Sequence, residues 1–191
     1  VVGYANDAYK TAGMSANEYM ETVTSFSASL LASMNNDTAA AAEKANVAIT
    51  DMSDNANKMG TDISLIQNAY NGFAKQNYTM LDNLKLGYGG TKEEMQRLLD
   101  DASKLSGIKY DISSYSDVVD AIHVVQTEMG ITGTTAKEAS TTIEGSVSSM
   151  SSAWDNWVAG MADSEANFSQ LTSNLVDSIV TVVGNIAPRV I

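Results

Sequence analysis

The only proline in this 191-residue chain is Pro188, so no residue before it forbids the backbone hydrogen-bond ladder of a helix. Punctuation falls instead to glycines and to short Asn, Asp, Ser and Thr clusters, the residues that stop and restart helices. Between these marks the apolar residues recur at three- and four-residue steps, the spacing of one helix face. Tyr19, Val23, Phe26, Leu30 and Met34 form one such stripe before Asn35-Asn36-Asp37. Ala45, Ile49, Met52, Ala56 and Met59 form the next, stopped by Gly60, with Thr61 starting Ile63, Ile66, Tyr70 and Phe73. The pattern predicts an all-α fold.

Further on, Met95, Leu98, Leu99, Ala102 and Leu105 run to a stop at Gly107. Ile108 to Ile112 alternates but has no partner strand, and it reads as a connector. Ser114 with Asp117 opens a helix buried through Val118, Ile122, Val125 and Met129, and Gly130 to Gly133 forms a turn. Thr135 with Glu138 opens the longest pattern, a stripe through Ala136, Ala139, Ile143, Val147, Met150, Trp154, Trp157 and Met161. One helix of that length would span roughly 40 Å. Phe168, Leu171, Leu175, Ile179, Val182 and Ile186 make the last stripe. The expected architecture is six to eight helices, as an antiparallel bundle or helical array with one long helix. Residues 1–191 are expected to be a single helical domain excised from a longer chain. A sub-boundary is expected near 107–114, dividing helical hairpins (1–107) from a long-helix part (114–191).

Gln67 to Leu99 organises this pattern. Two helical stretches flank Gly87-Tyr88-Gly89-Gly90, and Thr91-Lys92-Glu93-Glu94 follows at once. Thr91 is placed to accept from the Glu94 amide, with the Glu94 carboxylate reaching back to the Thr91 amide, as in a capping box. The expectation is a helical hairpin whose elbow is Gly87, Gly89, Gly90 and Thr91. As a phosphate cradle the run fails: Thr precedes Lys, a helix precedes the loop, and two glutamates follow.

Three words carry a family likeness. DMSDNANKMGTD (Asp51 to Asp62), the Gln67 to Leu99 stretch, and AIHVVQTEMGITGTTAKEASTTI (Ala121 to Ile143) resemble the N-terminal part of phage tail tape measure proteins. The likeness is to those of siphophages and prophages of Gram-positive bacteria, and it runs from about Met14 to the last residue. It implies a virion protein of the tail lumen, present in the bacterial cytoplasm during assembly. Such a protein sets tail length by its own extent and leaves the tube during genome ejection. The implied partners are other copies of itself, the tail tube protein and the tail assembly chaperones. The resemblance assigns no catalytic role to these residues.

Composition narrows the chemistry. Lys and Arg total 11 against 23 Asp and Glu, a formal charge of -12, which opposes direct binding to a nucleic-acid backbone or to anionic lipid. There is no Cys and one His, so thiolate metal sites are excluded and most catalytic triads and zinc sites are hard to build. His123 lies among apolar neighbours and reads as a half-buried or rim histidine. Asp100, Asp101, Asp117 and Asp120 lack the alternating oxygen ligands of a calcium loop. No catalytic, metal or cofactor site is expected, and no enzyme. Trp154 and Trp157, with Met150 and Met161, read as core or, if the stripe is exposed, as an interface anchor. The run Ile179 to Val183 is far shorter than the ~20 apolar residues of a bilayer span. Hydrophobic stretches commonly follow this region in the family, so the resemblance leaves room for membrane contact only beyond the last residue. The alternative function is a secreted or surface helical module for protein–protein interaction.

Overall fold

Side-chain caps set where most of the helices begin. In the computed structural model, which describes residues 1–190, the Asp37 carboxylate accepts from the amides of Ala39 and Ala40. Asp62 does the same for Ser64, Thr91 for Glu94, Ser114 for Asp117 and Thr142 for Gly145. The helices are α1 (Val2–Thr11), α2 (Ala16–Ser33), α3 (Thr38–Met59), α4 (Ile63–Phe73), α5 (Lys92–Ser106), α6 (Tyr115–Glu128), α7 (Thr134–Thr141), α8 (Ile143–Met161) and α9 (Phe168–Val190). A 3-10 turn at Leu81–Leu84 separates α4 from α5. Among the described residues there is no strand, so the chain is all-α, and Ile108 to Ile112 is a connector. Left-handed Gly60 and Gly107 end α3 and α5, where a side chain would be strained.

The chain divides into two compact units: Val1–Met20 together with the chain from Thr135 onward, and Glu21–Thr134. In the Glu21–Thr134 unit, α3 packs against α4 and α6, and α5 packs against α6. Its core is Phe26, Leu30, Ile49, Met52, Ile66, Tyr70, Phe73, Leu81, Leu84, Met95, Leu98, Leu99, Val118 and Ile122, all essentially inaccessible to solvent. Full burial of each such aliphatic or Phe side chain stabilises by about 1.5–3 kcal/mol. The connector at 108–114 lies inside this unit, and so the division does not fall there. It is tied down locally, by the Tyr78 hydroxyl donating to the Ile112 carbonyl (2.9 Å) and the Asp111 amide donating to Asp117 (2.8 Å).

The other unit has a smaller core of Tyr9, Ala153 and Leu175, with Met150 and Trp157 packed against it. Here α8 pairs with α1 and α9. The single long helix expected from Thr135 to Met161 is two helices. Thr142 is extended and caps α8, and Gly145 lets the start of α8 lie against the backbone of Glu138. A 19-residue helix spans about 28 Å. The buried face of α8 also differs from the expected stripe. It consists of Ser146, Ser149, Ser152, Ala153, Asn156 and Gly160. Small side chains let α1 and α9 come close; a Cβ on Gly160 would strike the Leu171 side chain.

The elbow is a correction of a different kind. Gly87 to Gly90 does not join two helices in a hairpin, because α4 ends at Phe73 and irregular chain intervenes. The run is a clasp on the start of α5. The Glu94 carboxylate accepts from the Gly89 amide (2.9 Å), not from that of Thr91, and pairs with Arg97 (2.6 Å). Arg97 also donates to the Gly87 carbonyl (2.8 Å) and lies over the Tyr88 ring, 4.3 Å from its centre. The bonds from Arg97 and the Gly89 amide hold the Glu94 carboxyl down to about 2. Burial and the Asp101 bond push the Tyr88 hydroxyl up to about 12.

The three glycines serve different ends. Gly87 has φ +88, Gly89 is unconstrained, and a Cβ on Gly90 would run into the Thr79 carbonyl. Gly90→Ala is therefore expected to destabilise by about 1–3 kcal/mol, the cost of an overpacked site. Gly89→Ala, whose Cβ would meet Glu94 at an ordinary 3.5 Å, should leave the urea midpoint nearly unchanged.

Candidate functional site

Two places gather unusual chemistry, one in each unit. The first is a polar seam between α3 and α6. Asp51, Asp54 and Asn55 follow one another round α3 and are all fully buried, on a helix whose sequence stripe picks out Ala45, Ile49 and Met52. Asp51 meets His123, whose Nδ1 lies 2.9 and 3.0 Å from the two carboxylate oxygens. One turn on, Gln126 donates to the Asp51 carbonyl and accepts from the Asn55 amide, which also donates to the Leu84 carbonyl. Asp54 accepts from the Gly133 amide at 2.6 Å. At the rim of the seam Lys44 pairs with Asp120.

The electrostatics follow from depth. Burial drives the Asp51 carboxyl upward, only partly offset by the bond from His123. The same bond holds the His123 imidazole above its ordinary value, against its own partial desolvation. His123 is indeed a rim histidine, its side chain 38 % exposed, but its partner lies on another helix. An acid fixing one ring nitrogen while the other faces outward can orient a general base, which then needs a nucleophile or a substrate group within reach. The charged groups facing His123 are Asp51, Asp120 and Lys44. The bonds of the seam tie α3 to α6 and to the 3-10 turn.

The remaining candidate acids are dispersed. Asp100 accepts from Gln96, Asp101 pairs with Lys104 and Tyr88, Asp117 serves the Ser114 cap, and Asp120 takes Lys44. Among the described residues no group of three or more His, Asp or Glu side chains could hold a metal ion. A cleft of about 410 Å³ lies between α2, the end of α4 and the start of α6. Its walls are Ser29, Ser33, Phe73, Gln76, Ile112 and Tyr115 among others, and no carboxylate, Lys, Arg or His lines it.

The second place is the α8–α9 pair. Trp154 and Trp157 stack with ring centres 5.4 Å apart, and Trp157 meets Phe168 at 5.4 Å. The Trp157 indole donates to the Thr172 hydroxyl (3.1 Å). Of the four residues named as an interface anchor, Met150 and Trp157 pack on the core, whereas Trp154 and Met161 are 52 % and 58 % exposed. Exposure continues along α9 through Val176, Ile179, Val180, Val183, Ile186 and Val190. The expected stripe on α9 is thus split: Leu175 and Val182 are buried, while Phe168, Ile179 and Ile186 are exposed. No helix among the described residues is long and apolar enough to cross a membrane.

The polar seam makes stability depend on pH with a definite sign. The folded state holds the His123 proton more tightly than the unfolded chain does. That contribution is complete below the ordinary histidine range near 6.5 and is lost as pH rises through the raised folded value. Asp51, also raised, acts in the same direction at lower pH. The lowered carboxyls of Glu94, Asp101 and Asp111 act oppositely, losing their contribution only as pH falls through the acid range. Urea unfolding from pH 6 to 9 should therefore show a declining midpoint, and His123→Gln should flatten the decline. At pH 6, His123→Ala should cost about 1–3 kcal/mol, as for a buried acceptor left without its donor.

No family model, no curated protein and no solved structure matches this chain.

Proposed function

We propose that this chain is a structural segment of a phage or prophage tail tape measure protein, working by helix packing and not by catalysis. The observation that supports this most is the apolar surface left exposed on α8 and α9, which suits a component completed by assembly with other chains. The resemblance of the Asp51–Asp62, Gln67–Leu99 and Ala121–Ile143 words supplies the kind of assembly. An all-helical build agrees with it, and the formal charge of -12 keeps the surface from holding DNA passing through the same tube. In this reading the partners are other copies of the chain, the tail tube protein and the assembly chaperones, and the setting is the tail lumen. A secreted or surface interaction module would use the same apolar face.

The two readings separate in one experiment. Tails purified from an induced culture of the strain carrying the gene should yield peptides of this chain by mass spectrometry. An in-frame deletion of 21–134 should abolish tails or alter their length under the electron microscope. Normal tails free of these peptides, with the chain recovered from the culture medium of an uninduced strain, would select the secreted module instead.

A further inference from the structure

Val176, Ile179, Val180, Val183, Ile186 and Val190 lie along one flank of α9, at steps of three and four residues, each 37–77 % exposed. The flank adjoins the buried line of Leu175, Ser178 and Val182. On α8 the matching flank carries Val147, Trp154, Val158 and Met161, each 41–58 % exposed. The two helices run in opposite directions. Near the end of α8, Trp157 meets Phe168 and Thr172 at the start of α9, while Asn185 near the end of α9 donates to the carbonyl of Thr142 before α8. At about 100° per residue, both flanks are rotated by a similar angle past their helix's buried line. In an opposed pair that equal rotation brings them to the same side, so they form one continuous face.

The size and charge of this face indicate what covers it. From the exposed fractions it presents on the order of 1,000 Å² of apolar surface, beyond the ~300–600 Å² of the largest patch on an ordinary monomer. It is comparable with the ~800 Å² that each partner contributes to a standard protein interface. It contains no charged residue, whereas the chain as a whole is strongly acidic. Two copies approaching by most other surfaces bring carboxylates together; through this face they do not. A patch that is apolar but for the exposed Ser151 between Val147 and Trp154 is complementary to itself, which is what a two-fold contact requires. The β-branched residues on α9 recur at the spacing that seats knobs into holes between helices.

We propose that the α8–α9 face packs against the same face of a second copy of this chain, making a two-fold contact of four helices with Trp154, Val180 and Val183 at its centre. The inference rests on the reading of the chain as a structural, protein-docking segment. Its test involves no tails, so a chain missing from purified virions would sink the phage assignment and leave the dimer standing.

Sedimentation equilibrium of the 191-residue chain, over a concentration series, is the experiment. The wild type should form dimers at micromolar concentration. Val180→Glu and Val183→Glu should each weaken association at least tenfold while keeping the helical circular dichroism signal. Asp177→Lys, away from the face, should associate like the wild type. If a glutamate variant loses helicity, the wild-type series decides alone. A wild type that stays monomeric at hundreds of micromolar overturns the proposal, as do glutamate variants that dimerise unimpaired. A monomer that floats with phosphatidylcholine vesicles overturns it in favour of a lipid surface. Open-ended oligomers overturn the two-fold arrangement.

Discussion

A carboxylate with no solvent access is among the most demanding groups a small helical core can contain, and Asp51 is one. Everything around the α3–α6 seam answers that demand. His123 brings a proton to the carboxylate, Gln126 bonds the Asp51 backbone and links it to Asn55, and Asn55 holds the Leu84 carbonyl of the 3-10 turn. The seam therefore fixes α3, α6 and the 3-10 turn with directional bonds that a purely apolar contact would lack. Apolar ridges allow neighbouring registers of similar energy; a buried acid that must meet His123 and Gln126 allows one. Specificity of packing is the gain, and sensitivity to proton concentration accompanies it.

The two units solve the packing problem by opposite means. In the Glu21–Thr134 unit large side chains fill the space between helices, with aromatic contacts such as Phe26 against Tyr115 and Tyr70 against Phe73. In the other unit α8 turns serines, alanine and glycine inward and leaves larger residues such as Trp154 and Met161 outside. Small inward residues let backbones approach, but they remove little apolar area from water, so this unit gains less from its own interior. The inversion on α8 leaves its larger apolar residues exposed.

What the sequence made legible was local. The stripe on α2, the caps at Thr91 and Ser114 and the glycine stops at 60 and 107 depend on residues within one turn, and they stand in the structure. The Asp51–His123 pair spans 72 residues, and no local pattern reports such a partner. The break at Thr142 was hidden because Ala139, Ile143 and Val147 stay in phase across it. Thr142 with Glu144 and Gly145 just beyond was an available signal, a cap followed by an acid in the first turn. The face of α8 was misread because apolar periodicity rewards size, and here the contact selects smallness. On α9 the apolar arc is wide enough for two faces, and only its neighbours decide which half is covered.

The order of the chain through its two units has a mechanical consequence. One unit is made of Val1–Met20 and the chain from Thr135 onward, and the other is the uninterrupted stretch between them. Tension applied at the two ends of the chain must pass first through the contacts of α1 with α8 and of α8 with α9. The intervening stretch bears no load until those contacts part. Under such a pull, the order of the chain loads the unit with the smaller core before the α3–α6 seam.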